Sequence, residues 1–115
     1  MAKHDPSLDH LFTALGDPTR RAILTRLAEG PASVSELAAP FDMALPSFMG
    51  HLGKLEAAGL IETSKAGRVR SCALNPQGFA PAIDWLDAQR ALWAGRLDRL
   101  DALVLGLARQ TPTDT

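Results

Sequence analysis

Apolar side chains recur along this chain at spacings of three and four residues, the period of an amphipathic helix. The first segment with this pattern contains Leu8, Leu11, Phe12 and Leu15. A second begins after the Gly-Asp-Pro-Thr run at residues 16–19, where the aspartate can cap a helix and the proline suits a first helical turn. The pattern therefore predicts two helices joined by a tight turn.

Two further helices follow, each with its own boundary signals. Residues 33–36 (Ser-Val-Ser-Glu) fit a capping box, in which the serine hydroxyl and the glutamate carboxylate satisfy backbone donors. Pro40 ends that helix early, and Gly59 ends the next one. In this fourth helix we expect one buried apolar stripe, formed by Leu45, Phe48, Leu52 and Leu55.

The second half of the chain changes pattern twice. Residues 60–74 predict two short strands around the Lys-Ala-Gly-Arg turn at 65–68, which indicates a β-hairpin. After Pro81 no proline interrupts the segment up to residue 109, so we expect a helix of roughly 30 residues, on the order of 45 Å long. Four helices, a hairpin and a long helix are typical of a winged helix-turn-helix, a mainly α fold with a small β-hairpin.

Composition narrows the class of protein. The 115 residues are 46% apolar, which is about one small domain with a modest core. A single cysteine, Cys72, excludes an intramolecular disulfide and a four-cysteine zinc site. We expect it to be a small, partly buried residue, with a redox-active thiol as the alternative. No apolar leader or stretch near 18 residues occurs, so a soluble cytoplasmic protein without a membrane partner is expected.

The fourth helix carries a polar face that suits a DNA groove. Ser47, Gly50, His51 and Lys54 lie at positions i, i+3, i+4 and i+7, opposite the apolar stripe. Side chains placed in this way can contact base edges or phosphates in the major groove. The alternative is an ordinary solvated helix face.

The hairpin concentrates positive charge. Lys65, Arg68 and Arg70 fall within residues 63–71 without an acidic neighbour there, in a chain of net charge −1. This cluster favours a wing that follows the phosphate backbone, and the alternative is a solubilising edge hairpin. The arginines at 20–21 fit phosphate contacts and plain solvation equally well.

Two motifs link the chain to a known family. The Gly-Asp-Pro-Thr-Arg-Arg run at 16–21 is followed at 51–61 by the pattern His-Leu-x-x-Leu-x-x-x-Gly-Leu-Ile. Over roughly residues 8–75 the chain resembles the arsenic-repressor type (ArsR/SmtB) of bacterial winged-helix regulators. The resemblance implies a homodimeric transcriptional repressor that leaves its operator when an effector arrives.

One departure from that family concerns base recognition. Many relatives have a serine followed by Lys, Arg or Gln just before the His-Leu pair, whereas this chain has Met49 and Gly50. Gly50 offers no side chain to a base. We therefore expect base specificity from Ser47, from apolar contact by Met49, or from DNA shape.

The metal sites known in the family lack their ligands in this chain. Family sensors use a Cys-x-Cys pair in the third helix, or Asp, His and Glu residues on the last helix, which suit soft ions and zinc respectively. Here the third helix has no cysteine and no histidine follows His51. The aspartates at 84, 87, 98 and 101 are expected to be solvated. We assign no metal and no cofactor. The alternative, a metal-responsive repressor of non-standard type, would draw on His4, Asp5, Asp9 and His10.

The long helix has more apolar surface than one domain can cover. A seam with three- and four-residue spacing extends over about three heptads. A helix that is apolar on more than one side needs two partners, so we predict a twofold homodimer, and the alternative is packing within the chain alone. Its predicted interface consists of Leu8, Leu11, Phe12, Leu15, Leu86, Trp93, Leu97, Leu100, Val104 and Leu107.

Such a dimer places two recognition helices about one DNA turn apart, roughly 34 Å, which predicts a pseudo-palindromic double-stranded operator. The chain is then a single winged helix-turn-helix domain, 1–115, with a DNA-binding core at about 8–75 and a dimerisation helix at 79–109.

No nucleophile, acid–base pair or phosphate-binding glycine loop is identified, so an enzyme is not predicted. The prediction is a sequence-specific DNA-binding regulator. A winged helix that contacts only proteins is the alternative from another class. The predicted DNA-binding residues are Ser47, Met49, Gly50, His51, Lys54, Lys65, Arg68 and Arg70.

Overall fold

The structure, a computed structural model, describes residues 6–110 in two compact units that meet between residues 82 and 83. The first unit contains α1 (Pro6–Leu15), α2 (Pro18–Leu27), β1 (Ala32–Ser33), α3 (Val34–Ala38), α4 (Leu45–Ala57), β2 (Ile61–Ala66), β3 (Val69–Leu74) and a 3₁₀ turn (Pro76–Phe79). The last helix, α5 (Ala80–Gln110), begins in the first unit, and from Ile83 onward it belongs to the second unit. The predicted winged helix-turn-helix is confirmed. The assignment of residues 1–115 to a single domain stays a prediction.

Local capping signals define the helix starts as expected. The Asp17 side chain accepts a hydrogen bond from the Arg20 backbone N–H at 3.0 Å, and Pro18 is the first residue of α2. Ser33 and Glu36 form both bonds of the capping box that begins α3. Each side chain satisfies a backbone donor that lacks a partner within the helix.

The sheet has three antiparallel strands in the order β1-β3-β2. The hairpin pairs Ile61 with Leu74 at one end and Ala66 with Val69 at the other. The two-residue turn between the strands has a positive φ of 62° at Gly67, a conformation that glycine adopts without strain. The sequence pattern does not predict β1, whose two residues pair with Cys72 and Ser71 of β3.

The core of the first unit lies where the helices meet this sheet. It includes Leu37 and, from α4, Phe48, Leu52 and Leu55. The expectation that Leu45 shares this buried stripe is wrong, because 59% of its surface is exposed. Leu45 is the first residue of α4, and the helix extends past the core at that end.

The inward face of α1 also differs from the predicted interface. Leu11 is only 1% exposed and belongs to the core of its own unit, with Leu8 and Leu15 packed against that core. Leu11 is therefore unavailable to a second subunit. Phe12, 36% exposed, presents the most accessible large side chain of the four.

The helix α5 has 31 residues, close to the predicted length. All six seam residues that the sequence pattern identifies on it are at least half exposed: Leu86, Trp93, Leu97, Leu100, Val104 and Leu107. Among residues 6–110 no helix is both long and apolar enough to cross a membrane.

Candidate nucleic-acid interface

The exposed face of α4 carries most of the residues predicted to contact DNA. Ser47, Gly50 and Lys54 are exposed, whereas Met49 and His51 are half-buried. Phe48 is buried on the opposite face and is in ring contact with Phe41, 5.6 Å between centroids, which fixes the rotation of the helix. The structure thus brings three of the five predicted side-chain positions of α4 to the surface.

Two cavities lie beside α4. One of about 190 Å³ is lined by Met49, Leu52, Gly53, Glu56, Thr63 and Arg70, and so joins α4 to the hairpin. The Thr63 hydroxyl donates to the Glu56 carboxylate across it. The other, of about 260 Å³, lies between α1 and α4 and is lined by His10, Thr13, Ala14, Lys54 and Ala57.

The wing, which we define as β2, β3 and the Gly67–Arg68 turn between them, carries three exposed cations. Lys65 and Arg70 are direct partners in the register, so two like charges face each other across the hairpin, and Arg68 lies in the turn. None of the three forms an ion pair with an acid among residues 6–110. Directly opposed like charges destabilise a hairpin, and a polyanion placed against them removes that cost.

Arg20 has a role that neither of its two proposed interpretations anticipated. It is 7% exposed, and its Nε donates to the Ala14 carbonyl oxygen at 2.8 Å while Nη2 donates to that of Thr13 at 3.0 Å. These bonds tie α2 to the end of α1. A signal was present in the sequence, because Arg20 lies four and seven residues before the buried Leu24 and Leu27 on one helix face.

The guanidinium of Arg20 also contacts the ring of His51. Its Nδ1 lies 3.0 Å from Arg20 Nη1 and 3.7 Å from Asp17 Oδ2. The sequence analysis placed the whole imidazole on the groove face, but one ring nitrogen is engaged inside the fold. Arg21, in contrast, is exposed, and its Nη1 donates to the Leu15 carbonyl oxygen.

Two ionisable groups near this region have shifted pKa values. The hydrogen bond from the Arg20 backbone N–H lowers the pKa of Asp17, and the charges of Arg20 and of His51 in its protonated form act in the same direction. Burial raises the pKa of the Cys72 thiol, which is 1% exposed at the centre of β3.

A metal site was the alternative that the sequence left open. Within residues 6–110 no three His, Cys, Asp or Glu side chains cluster as a metal site would require. His4 and Asp5 of the N-terminal group lie outside the described residues. On α5 Asp87 contacts Arg90, which accounts for one of the four aspartates considered there.

The buried stripe of α4, its open polar face and the cationic wing together define a winged helix-turn-helix of the DNA-binding type. A family described as "Helix-turn-helix domain" matches residues 15–64. The HTH-type transcriptional regulator Rv2034 of Mycobacterium tuberculosis is 43% identical over 81 residues, which cover 70% of this chain and 76% of that protein. The transcriptional repressor SdpR of Bacillus subtilis is 32% identical over 79 residues, covering 69% and 88%.

Solved structures give the same result. The crystal structure of an ArsR family transcriptional regulator, RHA00566, is similar with a TM-score of 0.76 at 55% identity, covering 82% of this chain and 97% of that one. The chain belongs to the ArsR family of transcriptional regulators. This confirms the predicted class, a DNA-binding regulator of transcription and not an enzyme.

Proposed function

We propose that this chain is a homodimeric repressor that binds a pseudo-palindromic operator through α4 and the wing and leaves it when an effector arrives. The unpaired cationic wing beside the open face of α4 is the observation that carries the proposal. Lys65, Arg68 and Arg70 have no acid partner among the described residues. The phosphates of DNA can supply an anionic partner for each of these three cations.

Within this interface the residues have different tasks. Ser47 at the exposed start of α4 contacts base edges, since the first turns of a recognition helix enter the groove most deeply. Lys54, two turns further on, pairs with the phosphate backbone. Gly50 permits close approach because no side chain occupies its position, and Met49 supplies apolar contact.

The exposed seam of α5 supports the dimer. Six large apolar side chains on one helix, each at least half exposed, recur at the three-, four- and seven-residue spacings of a seam that a second helix covers. A twofold axis relating two such chains generates two equivalent DNA-reading surfaces. The operator would then be pseudo-palindromic, since its half-sites mirror the symmetry of the protein.

Repression, rather than activation, agrees with the name of the B. subtilis relative, a transcriptional repressor. Release by an effector is part of the proposal, and we assign no effector. Because the proposed operator is DNA, we propose a cytoplasmic location for the protein.

In vitro selection from a pool of random duplexes tests the proposal. We expect a consensus of two inverted half-sites, bound by two protomers per duplex with an affinity that falls as salt rises. A scrambled duplex of the same length is the control. Failure to enrich any sequence, together with binding that does not respond to salt, would instead favour a winged helix that contacts only proteins.

A further inference from the structure

The guanidinium of Arg20 constrains the chemistry of His51. Two of its nitrogens are already committed to the carbonyl oxygens of Thr13 and Ala14, and the third, Nη1, lies 3.0 Å from His51 Nδ1. A guanidinium is always charged and can only donate hydrogen bonds. Nδ1 must therefore be the acceptor, which leaves the proton of the neutral imidazole on Nε2.

Asp17 does not reverse this assignment. Its Oδ2 is 3.7 Å from His51 Nδ1, beyond hydrogen-bond distance, and accepts instead from the Arg20 backbone N–H at 3.0 Å. The charge of the guanidinium helps to lower the pKa of the Asp17 carboxyl, and the carboxylate does not compete for Nδ1. The three side chains thus form a fixed unit at the start of α2, and His51 is its member on α4.

The other ring nitrogen of His51, Nε2, is accessible to solvent. Among residues 6–110 no buried side-chain nitrogen or oxygen lacks a hydrogen-bond partner, and His51 Nε2 has no partner there. Nε2 is therefore not buried. Ser47 and Lys54, four residues before and three after His51, are exposed on the same side of α4.

We infer that Arg20 is a positioning residue that fixes His51 in the Nε2–H form, so that His51 meets DNA as a hydrogen-bond donor. The inference rests on the proposed function, in which this face of α4 contacts the duplex. The partner of Nε2–H is then an acceptor: a phosphate oxygen, or N7 or O6 of guanine, N7 of adenine or O4 of thymine. The N4 amino group of cytosine is a donor and is disfavoured at this position.

Nuclear magnetic resonance of the free protein tests the tautomer directly. Long-range ¹H–¹⁵N spectra near pH 8, above the ordinary imidazole pKa of about 6.5, should show His51 with its proton on Nε2 and an acceptor-type Nδ1. Exposed His10 in the same spectrum provides the reference for a ring in mixed tautomers. In Arg20→Lys, with helix content checked by circular dichroism, His51 should approach the pattern of His10. A proton on Nδ1 of His51 in the wild type would overturn the inference.

A pair of amide substitutions keeps the test independent of Arg20, whose variant can fail to fold. His51→Asn places an oxygen near the position of Nδ1 and so keeps an acceptor for Arg20, but offers no donor to DNA. His51→Gln places an amide nitrogen near the position of Nε2 and keeps that donor. We expect His51→Asn to unfold at the wild-type temperature yet to bind the selected operator about fivefold or more weakly. We expect His51→Gln to bind within about threefold of wild type but to unfold at a lower temperature.

The outcomes separate this inference from the proposed function. If His51→Asn binds like wild type while Arg68→Ala binds more weakly, His51 is not a donor to DNA and the proposed interface stands. If the wild-type protein selects no duplex, the proposed function fails, and the tautomer is still decided by the spectra. A loss for His51→Asn that is equal on operator and scrambled DNA assigns the acceptor to a phosphate, and a loss confined to the operator assigns it to a base.

Discussion

Asp17 stabilises the folded chain only in its ionised form. Its carboxylate accepts the hydrogen bond from the Arg20 backbone N–H, which lowers the pKa of Asp17 in the folded state. A group with a depressed folded pKa stabilises the fold fully above its unfolded pKa and loses that contribution as the pH falls through the folded pKa.

Asp17→Asn retains a cap acceptor but cannot titrate, so it isolates this effect. We expect the free-energy difference of unfolding between wild type and Asp17→Asn to shrink as the pH falls below about 4. Urea denaturation over this range measures it, with exposed Asp42→Asn as the control for loss of one charge. A difference that grows on acidification would contradict the assignment.

Cys72 is a core residue in the structure, which argues against the thiol switch considered from the sequence. Because the side chain is 1% exposed and burial raises the pKa of its thiol, little reactive thiolate is present in the folded protein. We expect Cys72 to react with a thiol reagent only at the rate of unfolding. The added thiol of Ser64→Cys, exposed on the wing, should react at once. Equal rates for both thiols would restore the switch.

A substitution at Gly50 distinguishes an effect on helix stability from an effect on DNA contact. An added Cβ at Gly50 meets nothing within 4 Å, and the same holds for Gly53 in the same helix. Gly50→Ala and Gly53→Ala should therefore each stabilise the protein by up to about 1 kcal/mol. We expect only Gly50→Ala to weaken operator binding, because its Cβ would occupy the space that the duplex needs. Unchanged affinity for Gly50→Ala would remove Gly50 from the interface.

The roles of single residues that the sequence predicted correctly depend on partners close by in the chain. Asp17 and the Ser33–Glu36 capping box act on backbone groups three residues away, so their spacing alone identifies them. Arg20 was not assigned, because its acceptors are carbonyl oxygens of another helix and its third partner is 31 residues distant. Leu45 was misplaced because periodicity gives the direction of a side chain but not where the core ends.

Among the elements, α5 is the helix whose apolar seam residues are each at least half exposed. Leu97 and Leu100 lie near the middle of that seam and are 57% and 53% exposed. We predict that Leu97→Glu combined with Leu100→Glu gives a monomer, because burying carboxylates in a dimer seam costs several kcal/mol. Operator binding should weaken strongly, since the paired half-sites lose their avidity.

Sedimentation velocity measures the change in assembly. Ala102→Glu, a charge placed away from the seam on the same helix, is the matched control and should leave the dimer intact. A doubly substituted protein that sediments as a dimer and binds operator with wild-type affinity would contradict the interface on α5.

The elements themselves were largely predictable. Helices long enough to show several apolar repeats, such as α4 and α5, were identified near their actual bounds. The strand β1 was not, because two residues carry no periodic signal and Ala32 and Ser33 are a strand only through pairing with β3. The cavity between α4 and the wing also depends on tertiary packing, which places Glu56 beside Thr63.

In the whole molecule, the proposed DNA binding consists of two tasks. The net charge of −1 gives no general attraction to DNA, so the attraction must come from the local charge of the wing. In our proposal the open face of α4 reads bases, and the wing neutralises phosphates without reading sequence. This division predicts that the two surfaces respond differently to substitution.

One measurement tests it most directly: fluorescence anisotropy of the selected operator and of a scrambled duplex, titrated between about 50 and 200 mM salt. Arg68→Ala should weaken both complexes and reduce the slope of log affinity against log salt by about one. Ser47→Ala should cost about 1–3 kcal/mol on the operator alone and leave the slope unchanged. Arg109→Ala, which removes one exposed charge from α5, should change neither. Equal losses from Ser47→Ala and Arg68→Ala on both duplexes would contradict the claim that α4 reads bases.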